Sequence, residues 1–178
     1  MNLAFLLSPL PLVLLAASFL IIHHSRKPIH EWWGKLPFSL HPFSFPLRAT
    51  LLSLVALLAI GVGIDFLATQ LHINDTHVVN AVIETLAAYP LWIILPYFLV
   101  SAFAEETFFR GILQKILSPI PSAILFALFH AGYGSTIQLV GAFLAGIALS
   151  HFRNQNRSIY PGFLGHAAYN TIILFAGA

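Results

Sequence analysis

Six residues in the C-terminal half carry groups able to do chemistry within an otherwise apolar sequence: Glu105, Glu106, Arg110, His130, His166 and Asn170. Glu105 and Glu106 are adjacent, so on a helix their side chains point about 100° apart and cannot share one task. Glu106 and Arg110 are four residues apart with the acid first, the favourable order for a helical ion pair. That spacing suits mutual neutralisation, a structural role. Glu105 has only Phe109 four residues on, an apolar neighbour. A lone carboxylate at low dielectric needs a polar partner from another segment. "FALFH" offers His130, one turn after Phe126, and "HAAYN" offers His166 and Asn170 on one helical face.

A glutamate beside an imidazole can act as general base toward water. Asn170 and His166 can donate hydrogen bonds to a developing oxyanion. Together they suit hydrolysis of a carbonyl compound, most naturally a peptide bond. Glu105, His130 and His166 also make a His₂Glu set of the kind that holds catalytic zinc with one open position. The residues alone leave both mechanisms open. Other membrane protease signatures are absent: there is no H-E-x-x-H, no G-x-G-D, and "GYGS" at 132–135 is not a serine protease motif. The chain has no cysteine, which excludes disulfides, thiolate ligands and a cysteine nucleophile.

These groups must be positioned by helices in a bilayer. Hydrophobic residues make up 58% of the 178 positions and charged residues 8%, against roughly 25% charged in a soluble domain. Mean hydropathy is +0.87. The expected fold is all-α, a single polytopic membrane domain over 1–178, with the motif-bearing core at about 90–178. Six spans are expected, at 2–22, 49–71, 91–117, 121–133, 136–152 and 159–176. The first reads as an uncleaved span, because no Lys or Arg precedes it and no small-residue cleavage site follows.

At 1.5 Å per residue, Glu105, His130 and His166 each lie about 11–15 Å from the Lys115, Pro121 and Ser158 ends of their spans. Three helices therefore bring one acid and two imidazoles to one layer, with Asn170 a turn deeper. Arg26, Lys27, Lys35, Arg48, Lys115, Arg153 and Arg157 all fall on one side of six alternating spans. The positive-inside rule makes that side cytoplasmic and sends both termini outward.

The remaining polar features suit structure. The loop with Trp32 and Trp33 reads as an interfacial segment with aromatic anchors. "NDTHVVNAVIETL" reads as a helix on the outer surface, capped by Asn74 or Asp75, with Val79, Val82, Ile83 and Leu86 on one face. Asn74-Asp75-Thr76 is also a glycosylation sequon, relevant only in a secretory pathway. Gly141, Ala142, Ala145 and Gly146 form a small-residue packing face. Asp65, nearer the outer side, suits helix packing or a hydrogen bond, and His151 an interfacial position. His23 and His24 lack partners and ligand spacing. No inverted repeat is visible, which weighs against a proton-coupled transporter.

Glu105-Glu106-x-x-x-Arg110, Phe126-x-x-x-His130 and His166-x-x-x-Asn170 resemble the three motifs of the CPBP, or ABI, family. That family groups CAAX prenyl endopeptidases with bacteriocin-processing and immunity proteins. The resemblance covers 105–170 and implies an intramembrane glutamate-type endopeptidase. It implies that Glu105 activates water with His130, that His166 and Asn170 form the oxyanion hole, and that Glu106 and Arg110 are a structural pair. It favours a mechanism with no cofactor, zinc being the alternative. Expected partners are the bilayer and a peptide or protein substrate, lipid-modified or not, with no nucleic acid. A non-catalytic immunity or partner-binding protein of the same fold is the competing function. The expected location is a bacterial cytoplasmic membrane.

Overall fold

The computed structural model describes residues 9–34, 45–73 and 75–177. They form eight helices, and the only strand-like pairing among them is an isolated bridge between Gly34 and Ser158. Helix α1 spans Leu10–Ser25 and α2 spans Ile29–Trp33. Helix α3 spans Phe45–Gln70 and α4 spans Thr76–Ala87. Helix α5 runs Leu91–Leu117 in three parts: α-helical to Glu105, π-helical over Glu106–Leu113, then α-helical again. Helix α6 spans Pro119–His130, α7 spans Thr136–Asn156 and α8 spans Tyr160–Ala176.

Three helical stretches are long and apolar enough to cross a membrane: Leu47–Gln70, Leu91–Leu117 and Thr136–Asn156. Leu10–Ser25 and Pro119–Tyr133 are apolar but shorter, and α8, at the sixth expected span, has 17 residues. Length and composition thus support three of the six expected crossings. Part of the first expected span, 2–8, and Lys35 lie outside the described residues.

Close approach of helices sets the frame. A Cβ on Gly165 of α8 would lie 2.0 Å from Ser53 Oγ of α3. Only glycine lets Ser53 sit there and donate to Pro161 O at 2.9 Å. Gly146 of α7 packs on Ala123 of α6, where an added Cβ would come within 3.0 Å. That is the close contact expected of the small-residue face. Leu14, Ala104, Phe109, Phe126, Ala127 and Ala142 make one apolar core, shared by α1, α5, α6 and α7. Ile94, Phe98 and Leu174 make a second between α5 and α8.

The basic end of the bundle is tied together through α2. Trp32 is buried, with Lys115 Nζ 5.2 Å from its ring, and Arg153 Nη2 donates to Trp32 O at 3.3 Å. Ile159 N–H donates to Trp33 O at 2.9 Å, and the Trp33 ring meets Phe103 edge-on. Gly34, at φ +85°, presses against Arg157 O so closely that a Cβ would overlap it. The tryptophans expected as interfacial anchors are therefore built into the protein. Their ring faces and carbonyls bind cations and backbone from α5 and α7–α8.

At the opposite end the expected capping is corrected. Asp75 precedes α4 but its side chain caps nothing there. Its carboxylate accepts instead from Ser135 Oγ and from Thr136 N–H, at the start of α7. Ser135 Oγ in turn accepts from Gln138 N–H at 3.1 Å, closing the N-terminus of α7. Free N–H groups at a helix start are what such acceptors satisfy. Asn74, the other expected cap, lies outside the described residues.

Candidate active site

Helix α5 supplies the acids. Ser101 Oγ donates to Glu105 Oε1 at 2.9 Å, one turn before the helix changes to π form. This fixes the carboxylate and leaves Oε2 facing His166 Nε2 of α8 at 3.9 Å. Glu105 Oε2 is buried and has no hydrogen-bond partner. A π turn is rare and concentrates at functional sites. Here one of its carbonyls, Phe109 O, receives the Ser122 hydroxyl of α6 at 2.7 Å.

Glu106 faces the interior. Its Oε1 lies 3.1 Å from Arg110 Nη1, and both residues are 1% exposed. The guanidinium also lies over the Phe126 ring, 4.0 Å from its centroid, a cation–π contact that a desolvated charge makes strongly. The same Glu106 Oε1 stands 3.4 Å from His166 Nδ1. Glu106 therefore has two partners, where sequence spacing suggested Arg110 alone. His166 is held between two carboxylates, one at each ring nitrogen. A carboxylate at Nδ1 requires that nitrogen to carry hydrogen, as in the carboxylate-oriented histidines of many sites.

His130 is the last residue of α6, followed by a 3₁₀ turn over Ala131–Tyr133. Its Nδ1 meets Phe126 O at 2.8 Å, so one of the carbonyls left open at a helix C-terminus orients the ring. In the neutral imidazole Nδ1–H donates to that carbonyl and Nε2 keeps its lone pair.

Glu105, His130, His166 and Asn170 line one cavity of about 180 Å³, with Ser101 and Tyr133. His130, His166 and Asn170 also line a second cavity of about 420 Å³ that extends between α3, α4 and α7. Val79, Val82, Ile83 and Leu86, the apolar face expected of the outer helix, line the smaller cavity. That helix covers the site. Among the described residues no group of three or more His, Asp or Glu side chains is placed to hold a metal ion.

Sequence spacing missed Ser101, although it stands four residues before Glu105, the same spacing that exposed Glu106 and Arg110. It missed the Glu106–His166 contact because 60 residues separate the partners. Nothing in the sequence announced the π turn.

No curated protein and no solved structure matches the chain. Residues 87–172 match the family model described as type II CAAX prenyl endopeptidase Rce1-like, a segment that spans α5 to α8 and contains all six motif residues. That segment, just under half of the chain, is similar to the Rce1-like family of CAAX proteases.

Proposed function

We propose that this protein is an intramembrane endopeptidase that hydrolyses a peptide bond of a membrane-associated protein or peptide. The observation that carries the proposal is the unsatisfied Glu105 Oε2 opposite His166, in a cavity that His130 and Asn170 also line.

Glu105 takes a proton from water as general base, assisted by the Nε2 lone pair of His130. The hydroxide adds to the scissile carbonyl. The oxyanion receives hydrogen bonds from His166 Nε2–H and the Asn170 amide. The Glu105 proton then passes to the leaving nitrogen as the C–N bond breaks, leaving a carboxylic acid and an amine. With Nδ1–H directed at Glu106, an Nε2–H donor makes His166 an imidazolium. The charge count suits it: two carboxylates, one guanidinium and one imidazolium sum to zero in a buried cluster, which limits the desolvation penalty. Glu106 and Arg110 thus serve by holding His166 and the fold.

Hydrolysis here is metal-free. The test is cleavage of membrane-anchored peptides by purified protein, with products identified by mass spectrometry before and after chelation. Cleavage that survives chelation is expected. Loss on chelation with recovery on adding zinc would make Glu105, His130 and His166 ligands. Binding without any cleavage would favour a non-catalytic partner-binding protein.

The basic end, with Arg26, Lys27, Lys115, Arg153 and Arg157, faces the cytoplasm on this reading, and both termini face outward. The natural absence of cysteine allows single-cysteine labelling to check it, and outward labelling beside Arg157 would contradict it.

A further inference from the structure

Asp65 is the acid that the proposed mechanism does not use. It lies near the outer end of α3, exposed, and its carboxylate has no hydrogen-bond or ion-pair partner among the described residues. A carboxylate in a membrane-spanning helix is costly unless it faces water or a partner, and is a functional candidate by default. Asp65 lines the cavity of about 420 Å³ whose other end is formed by His130, His166 and Asn170. No other Asp or Glu, and no Lys or Arg, lines that cavity. Its remaining polar lining, Thr76, Asn80, Gln138 and Tyr169, carries no charge.

The spacing sets what this carboxylate reaches. Gly61 of α3 sits against Tyr169, since a Cβ there would lie 3.1 Å from the Tyr169 hydroxyl. Asp65 is one turn beyond Gly61, about 6 Å along the helix axis. Tyr169 lines that cavity together with Asn170, so a substrate lying along it with its scissile carbonyl toward Asn170 extends toward Asp65.

We propose that Asp65 is a specificity residue that binds a lysine or arginine side chain of the substrate, to one side of the scissile bond. This rests on the peptidase reading above. A cation suits the site because the carboxylate is uncompensated and the walls are apolar: Leu57, Ile60, Ile64 and Ile137 line the same cavity. Low-dielectric walls strengthen an ion pair relative to water. The neutral amides of Asn80 and Gln138 leave the recognition to charge.

The experiment separates binding from cleavage. Apolar nine-residue peptides carrying one central lysine, or norleucine in its place, are titrated against the Glu105→Gln protein by fluorescence anisotropy. The lysine peptide is expected to bind about tenfold more tightly, a difference of about 1.4 kcal/mol. Adding Asp65→Asn removes that preference, and adding Asp65→Glu retains it. Equal affinities for the two peptides, no binding of either, or a preference that survives Asp65→Asn overturns the assignment. The parent protein is given the same peptides in parallel. Cleavage without a lysine preference sinks the Asp65 site and leaves the peptidase. A lysine preference without cleavage keeps the Asp65 site and sinks the peptidase.

Discussion

Glu105 and Glu106 are neighbours in the chain and live in opposite surroundings. On one side of α5, Glu105 lines a cavity, is held by a single hydroxyl, and keeps one oxygen unsatisfied. On the other side, Glu106 is sealed in protein against a guanidinium and an imidazole. The same side chain keeps an unsatisfied oxygen in the first place and is paired in the second. The difference comes from what each faces. Burial with partners stabilises a charge and removes it from chemistry, whereas partial access with few partners leaves it available. His166 joins the two sides, with Nδ1 at Glu106 and Nε2 at Glu105. The sealed acid can therefore govern the reactive one's partner without touching substrate.

The comparison breaks most visibly on the sealed side. Glu106→Gln leaves Arg110 buried without its counter-charge, which costs about 3–5 kcal/mol of stability. Glu106→Gln combined with Arg110→Met removes both charges and recovers much of that loss. Unfolding in detergent, followed by circular dichroism, checks the order of parent, double and single variant. A single variant as stable as the parent would show that the pair carries no such role.

On the cavity side the expected loss is in rate. Asn170→Ala removes one oxyanion donor and lowers kcat by about 10²–10³-fold. Asn170 is partly exposed, lines the cavity, and has no side-chain hydrogen bond among the described residues, so melting is expected to stay close to the parent. A kcat unchanged by this substitution would take Asn170 out of the oxyanion hole.

The smallest effect lies far from both acids. Desolvation pushes the Asp75 carboxyl up, but the hydrogen bonds from Thr136, Ser135 and Ile137 outweigh it and hold the group below its ordinary value. A carboxyl depressed in the folded state stabilises above its unfolded pKa, and that stability fades as pH falls through the folded pKa. Asp75→Asn therefore lowers the melting temperature modestly at neutral pH, and the gap from the parent closes as pH drops below about 4. Melting curves across pH check this. A gap that is constant with pH would mean that shape, not charge, holds the start of α7.

What the sequence made legible follows from what is local. The Glu106–Arg110 pair, the helix over Thr76–Ala87 and its apolar face all depend on spacings of three or four residues. The convergence of Glu105, His130, His166 and Asn170 was legible through depth, because helical rise converts residue counts into distance from the basic end. Contacts between distant segments were not. Asp75 caps α7 across a separation of 61 residues. Trp32 and Trp33 turn inward because α5, α7 and α8 offer them partners that no local pattern reveals. The crossing count rested on apolar length; α6 is short, as the run at 121–133 already was, and part of the first run lies outside the described residues.

The central claim is that Glu105 does the chemistry while Glu106 holds the site. Its most direct test is the rate of peptide cleavage by purified Glu105→Gln protein, measured alongside its melting temperature. The account predicts a loss of about 10²–10⁴-fold, the usual worth of a general base, with melting unchanged from the parent. Cleavage at the parent rate by a folded Glu105→Gln protein would contradict it.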